Sequence, residues 1–440
     1  MQLQEELTQT LSRTPASLQA LNELIDPHWI AQALQATGSA SIRRRKLPAE
    51  HVVWLVIGLA LFRNQSIAGV VRQLDLSLGT GLCVPSAAVQ GRQRLGDVAL
   101  EHLFRQLASA WGAQAAASPV SRDLQALHGL RVLAVDGVVW SAPDSEENRL
   151  ALGCCSSQHG PGPWPQVRAV CLMDTATHEL LDAQVGAMTQ GELTLAAGLK
   201  PPASSLTVFD RAYFSAAFLL DWHAGDVQRH WLMRAKDNLR HEVLQSFGPG
   251  DSLIRMPISP RARKLHPHLP VYWQARLIEV ELAGQRRRFV TSLTDSKRYP
   301  AKALAALYRQ RWEIELGFRE IKQSLQAGAL VLRSKQPELV RQEIWGVLIA
   351  YTLLRRQMRL MAEHAKVQPS RIGFHATAIA IVDLLRYVPL ESAGNLPKRM
   401  AWLFEQAHLF VLPPRRERSC PRVVKPRPSK YPTRKNASQG

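Results

Sequence analysis

Tyr308-Arg-Gln-Arg311-Trp-Glu-Ile-Glu315-Leu-Gly-Phe-Arg-Glu-Ile-Lys322 is the stretch from which the rest of the chain can be read. Helix-forming residues dominate it and its approach, and Pro300 stands upstream where a first turn tolerates proline, so the pattern predicts a helix. At about 100° per residue, Tyr308, Arg311, Glu315 and Lys322 fall within an arc of about 60°. Leu307, Ile314, Phe318, Ile321 and Leu325 gather on the adjoining stripe, so one side of the helix is expected to enter a core and the polar four to line its edge. Taken alone, the spacing fits equally a solvated helix on which Arg311 pairs with Glu315 one turn away.

The chain has 440 residues, room for two or three domains and a sizeable core. Lysine and arginine exceed aspartate and glutamate by 19, which points to a polyanionic partner, nucleic acid before an acidic membrane. The cysteines, Cys83, Cys154, Cys155, Cys171 and Cys420, are odd in number and nowhere spaced C-x-x-C. Neither a disulfide framework nor a zinc ribbon is indicated, and a reducing cytoplasm is expected. Met1-Gln-Leu-Gln-Glu-Glu shows no signal peptide, and the longest apolar run, Val52 to Phe62, is too short to span a bilayer, so no membrane partner is expected.

Residues 1–115 read as helical. Val52 to Phe62 is apolar on nearly every side, hence a buried helix, with Ile42-Arg-Arg-Arg-Lys46 before it; a further helix through Ser86 to Leu95 carries Arg92 and Arg94 near its end. Basic helix edges of this kind suit DNA contact, though they also occur on plain solvated faces. After an Ala, Ser, Gly and Pro-rich junction the periodicity changes. Arg131-Val-Leu-Ala-Val-Asp136-Gly137 predicts an interior strand with its carboxylate at the C-terminal tip. Strands over Gln166–Met173 and Glu179–Gly186 and a short helix from Gly191 follow. Leu206-Thr-Val-Phe-Asp210 is then a second buried strand ending in aspartate. Ser156, Ser157 and His159 beside Gly160-Pro-Gly-Pro163 read as a loop. Trp231 to Lys236 is one more strand, and 240–286 reads as a β-rich insertion, basic in character: residues 226–300 hold 14 Lys plus Arg against 7 Asp plus Glu. A helical region over 331–412 closes the folded part. Residues 413–440, with nine Lys or Arg, one acid and six prolines, predict a disordered basic tail suited to phosphate attraction.

Asp136, Asp210 and Glu315 form a set: two acids at strand tips and one on a later helix. Three carboxylates gathered at one end of a sheet would repel one another unless cations shared the site, and all-oxygen ligands favour hard ions such as Mg²⁺ or Mn²⁺. Two such ions suit an in-line phosphoryl displacement.

Here the sequence resembles a known family. Val-Leu-Ala-Val-Asp136-Gly with Pro143-Asp-Ser-Glu-Glu-Asn148, Phe209-Asp210-Arg-Ala-Tyr-Phe214, and Tyr308-x2-Arg311-x3-Glu315-x6-Lys322 are similar to the signature blocks of the insertion sequence 4 family of DDE transposases, the last matching its Y-R-E-K motif at every position. Arg43 to Pro48, Val56 to Arg63 and Arg92 to Gly96 resemble the family's amino-terminal domain. The resemblance implies an α/β fold: an RNase H-like mixed-sheet core over 125–239 and 287–330, interrupted by the 240–286 insertion and preceded by the helical 1–115 region.

It further implies cut-and-paste transposition of an insertion element: phosphodiester hydrolysis at the ends, then strand transfer by the freed 3′-hydroxyl. By motif position, Asp136, Asp210 and Glu315 would be the catalytic, metal-binding acids, using two Mg²⁺ with Mn²⁺ as substitute. Tyr308, Arg311 and Lys322 would hold DNA. The implied partners are double-stranded DNA, as terminal inverted repeats and as target, and a second copy of the chain in a synaptic homodimer; the implied location is the cytoplasm, at the nucleoid. Hairpin release, another implied feature, calls for an aromatic to catch a flipped base; Trp273 offers one, with a core tryptophan the simpler reading. Competing readings are an RNase H-like nuclease without strand transfer and an inactive DNA-binding relic.

Overall fold

The computed structural model describes residues 22–40, 47–76, 85–118, 127–157, 160–225, 228–282, 284–328, 331–387 and 395–413. The basic cluster at 42–46, Cys83, His159 and the basic tail from 414 onward lie outside the described residues.

Ten strands form one sheet: β1 Arg131–Ser141, β2 Cys154–Ser157, β3 Gly160–Asp174, β4 Leu180–Ala187, β5 Ser205–Phe209, β6 Arg229–Arg234, β7 Glu242–Gly248, β8 Asp251–Pro257, β9 Tyr272–Leu282 and β10 Gln285–Thr291. β3 lies antiparallel between β4 and β1, and β1, β5 and β6 run parallel beside it. This is the RNase H-like mixed arrangement that the resemblance implied. β5 is buried along its whole length, Ser205 and Thr207 included, as befits a strand flanked on both sides by parallel neighbours.

Two expectations change in detail. The Gly160-Pro-Gly-Pro163 segment is not a loop: it starts β3 and pairs with β2, since β2 supplies backbone partners that composition cannot announce. The insertion is β-rich as expected, but it is no separate layer. β10 pairs with β6, β9 with β10, β8 with β9 and β7 with β8, so its strands prolong the core sheet. Trp273, 5% exposed, lies with its ring 5.7 Å from Trp231 and 6.0 Å from Phe214; it is a core residue.

Alternation along β1 sorts the two faces of the sheet. Leu133 and Val135 enter a core with Phe209, Phe218, Trp222, Trp231 and Trp273. Ala134 and Val138 enter the other, which reaches Trp54, Phe104, Trp345 and Leu348. That second core fuses the amino-terminal helices to the long helix Pro337–His364, so the helical region is packed into the enzyme body. Helix Ala49–Leu61 is buried on nearly every side, as its sequence predicted.

This packing corrects the reading of Arg92 as a DNA-facing cation, and it buries Arg63 in the same way. Arg92, 3% exposed, donates from Nε to Gln342 Oε1 at 2.8 Å and from Nη2 to Ser334 Oγ at 3.1 Å. Arg63 pairs with buried Glu343 at 2.8 Å. Both rivet the amino-terminal helices to the long helix; a buried cation must find partners, and these lie some 250 residues along the chain.

Candidate active site

β1 does not stop at its acid. It runs on to Ser141, paired with β3 throughout, so Asp136 is mid-strand and not at a tip. The functional boundary is set by the neighbour: parallel pairing with β5 ends at Ala134 opposite Val208, and β5 ends at Phe209. Asp136 therefore stands where the two central strands part. Asp210 follows β5 directly and caps the tight turn Arg211–Tyr213, its Oδ1 accepting from the Ala212 N–H at 2.6 Å. By strand alternation the Asp136 side chain shares the face of Ala134 and Val138, the face on which Ile314, Phe318 and Ile321 of the Glu315 helix are buried.

The segment expected as one continuous helix is in fact four pieces. Ala301–Leu307 is α-helical, Tyr308–Arg311 a 3₁₀ turn, Trp312–Arg319 α-helical again and Glu320–Leu325 a π-helix. A uniform 100° step thus does not carry from Tyr308 to Lys322. The changes of pitch coincide with outside ties. Tyr308 donates its hydroxyl to the Phe209 carbonyl at 3.1 Å, and Glu320 accepts from Tyr351 at 2.9 Å. Gly317 permits the close approach: a Cβ there would lie 2.4 Å from Met173 of β3 and 2.9 Å from the Tyr351 hydroxyl.

Arg311 stands at the centre of the charges. Its Nη2 donates to Glu315 Oε1 at 2.6 Å, and its side chain is only 13% exposed. Burial opposes its charge, but Glu315, Tyr308 and Asp136 together hold its pKa above the usual arginine value. Asp136 is pushed up to about 6. Burial is the main cause, Glu192 and Asp210 add to it, and the Gly137 N–H and Arg311 oppose it. Glu315 is the more open acid, its side chain 35% exposed. Lys322 is exposed, and its side chain has no hydrogen-bond or ion-pair partner among the described residues. Trp312, 49% exposed, lies beside Arg311, whose guanidinium is 5.1 Å from its ring centroid.

Among the described residues no three His, Cys, Asp or Glu side chains form a ready-made cage for one metal ion. Asp136 and Asp210 lie within electrostatic range of each other, and Arg311 acts on Asp136 while pairing with Glu315. Carboxylates brought together without a metal need some counter-charge, and the guanidinium is the one within reach. The donor set suits a hard divalent cation, being all carboxylate oxygen. Tyr308 and Arg311, expected to hold DNA, both have intramolecular partners, and Tyr308 steadies the residue just before Asp210. Sequence reasoning missed Glu192, whose only signal was its place at the start of a short helix.

The fold and these acids define a class, and comparison with known proteins gives its name. The chain matches the family model described as Transposase DDE domain over residues 127–353 and that described as Insertion element 4 transposase N-terminal over residues 15–105. It belongs to the DDE transposases and is a DNA transposase; such domains generally work with divalent metal ions. More narrowly, it belongs with the insertion element 4 group. It is 39% identical to the transposase InsG for insertion sequence element IS4 of Escherichia coli K12, covering 96% of this chain and 95% of that one. It is also 35% identical to the putative transposase InsZ of the same organism over 52% of this chain and 76% of that one. A piggyBac transposase synaptic complex with hairpin DNA aligns at 10% identity with a TM-score of 0.39, over 91% of this chain and 86% of that one, a likeness too loose to place residues.

Proposed function

We propose that the chain carries out metal-dependent cut-and-paste transposition, with Asp136, Asp210 and Glu315 as its metal-binding acids. The observation that carries this reading is the position of Asp136 and Asp210 where β1 and β5 part, with Arg311 as counter-ion between them and Glu315. Two Mg²⁺ ions, or Mn²⁺ in their place, would supply an activated attacking oxygen and neutralise the leaving one. The protein's part is to present oxygen ligands from three elements. Glu315 joins Asp136 and Asp210 by exchanging its partner Arg311, and the released guanidinium fork is then free for a DNA phosphate. Lys322 adds a point charge for the same backbone, and Tyr308 keeps Asp210 in place by gripping Phe209.

The substrates in this reading are double-stranded terminal inverted repeats and a target duplex. The working unit is a homodimer holding both ends, in the cytoplasm on nucleoid DNA. The exposed arginines Arg261 and Arg286 of the insertion offer sequence-independent phosphate contacts. No helix among the described residues is long and apolar enough to cross a membrane.

Labelled end duplex, Mg²⁺ and a target plasmid provide the test. The wild type should cut the end and join it to the plasmid, whereas Glu315→Gln should bind the end without cutting. Cut ends that never join would favour a nuclease, and cleavage by Glu315→Gln at the wild-type rate would refute the site assignment.

A further inference from the structure

One more carboxylate touches both β1 and the turn that follows β5. Glu192 opens the short helix Glu192–Ala196 that follows β4. Its carboxyl lies flat against Gly137, the residue after Asp136: a Cβ on Gly137 would sit 2.6 Å from Glu192 Cδ and 2.8 and 2.9 Å from its oxygens. By alternation Gly137 faces the side of β1 opposite to Asp136, so Glu192 backs the acid from behind the strand.

Tyr213 fixes it there. Its hydroxyl donates to Glu192 Oε1 at 2.5 Å, it is 2% exposed, and its ring packs 5.4 Å from Phe209, immediately before Asp210. One side chain is thus held at once by the strand bearing Asp136 and by the turn bearing Asp210. Among the described residues Glu192 makes no ion pair. Its carboxylate lies close enough to Asp136 for the two to repel each other. Glutamine would accept the same hydrogen bond from Tyr213 without that repulsion. A negative charge kept beside two other acids without a cation of its own serves a cation that arrives later.

We propose that Glu192 is a positioning residue of the transposase site, a fourth carboxylate behind β1 whose charge, set by Tyr213 and admitted by Gly137, strengthens divalent-cation binding at Asp136 and Asp210. The proposal rests on the assignment of those two acids.

The test uses the full chain without DNA, titrated with Mn²⁺ and followed by the loss of the free-ion paramagnetic resonance signal, with thermal melting as the control for folding. Glu192→Gln, which keeps the Tyr213 hydrogen bond, should weaken Mn²⁺ binding about tenfold or more. Tyr213→Phe, which frees the carboxylate but leaves its charge, should weaken it about threefold, and Gly137→Ala, which displaces the carboxylate, should resemble Glu192→Gln. End-DNA binding without metal should be unchanged in all three. Asp136→Asn separates the two possible failures. If it abolishes Mn²⁺ binding while Glu192→Gln leaves it intact, Glu192 is only structural and the proposal falls. If Asp136→Asn changes nothing, the assignment beneath it falls. Should Glu192→Gln not fold, Tyr213→Phe decides, and wild-type Mn²⁺ affinity in that variant overturns the proposal.

Discussion

The helix that bears Glu315 has acids on two sides, and they live under opposite conditions. On the inner side, Glu320 meets Arg355, Tyr351 and His178, while His178 Nε2 lies 2.8 Å from Glu313 and its Nδ1 accepts from Arg355 at 2.9 Å. Burial works against the charge on Glu320, but Arg355 and His178 prevail and hold it down to about 2. On the outer side, Asp136 is pushed up to about 6, because burial and the acids around it outweigh the single guanidinium of Arg311. At Glu320 the paired cations outweigh burial, whereas at Asp136 the one guanidinium does not.

The sharpest way to break this contrast is Glu315→Gln, for which strand cleavage should fall by on the order of a thousandfold or more while the melting temperature stays near wild type. Cleavage and end binding are measured on the same preparation. On the inner side the signs reverse. Arg355→Met leaves Glu320 buried without its cation and should cost about 3–5 kcal/mol in urea unfolding, any loss of activity following the unfolded fraction. A normally stable Arg355→Met protein that no longer cuts DNA would erase the distinction between the two sides.

A subtler effect comes from pH. The folded chain keeps the Asp136 proton up to about 6, above the ordinary aspartate value of 3.8, so the ionised form costs stability above pH 6 and that cost disappears as pH falls below about 4. Asp136→Asn should then stabilise the metal-free protein by on the order of 3 kcal/mol at pH 7.5, with the gain shrinking to nothing near pH 4. Urea titrations at several pH values measure it, and a gain independent of pH would remove electrostatic deficiency as the cause. The smallest effect concerns Lys322. Lys322→Ala should lower the salt dependence of end binding by about one unit of slope and leave stability within about 0.5 kcal/mol.

Much of this was legible in the residues. The largely apolar runs leading to Asp136 and Asp210 read as buried strands, and the composition from Tyr308 to Lys322 read as helical, correct in outline though not in pitch. What could not be read was whatever depended on distant partners. The 3₁₀ turn and the π segment are fastened by Phe209 and Tyr351, 99 and 31 residues from the side chains that reach them. Arg92 looked like a DNA contact because its burial is decided by Gln342 and Ser334. Glu192 signalled only the start of a short helix, for its place against Gly137 arises when β1 and the helix after β4 are brought together. Tyr308 was legible as a site residue but not in its role, since its acceptor is a backbone carbonyl.

The ladder runs unbroken from β6 through β10 to β7. Arg276, wholly enclosed, bolts β9 to Asp251 at the start of β8 and to the Tyr299 carbonyl ahead of the Glu315 helix. The insertion strands are thus tied through one enclosed side chain to the segment that leads into the Glu315 helix, so the sheet extension and that helix are braced by a shared post.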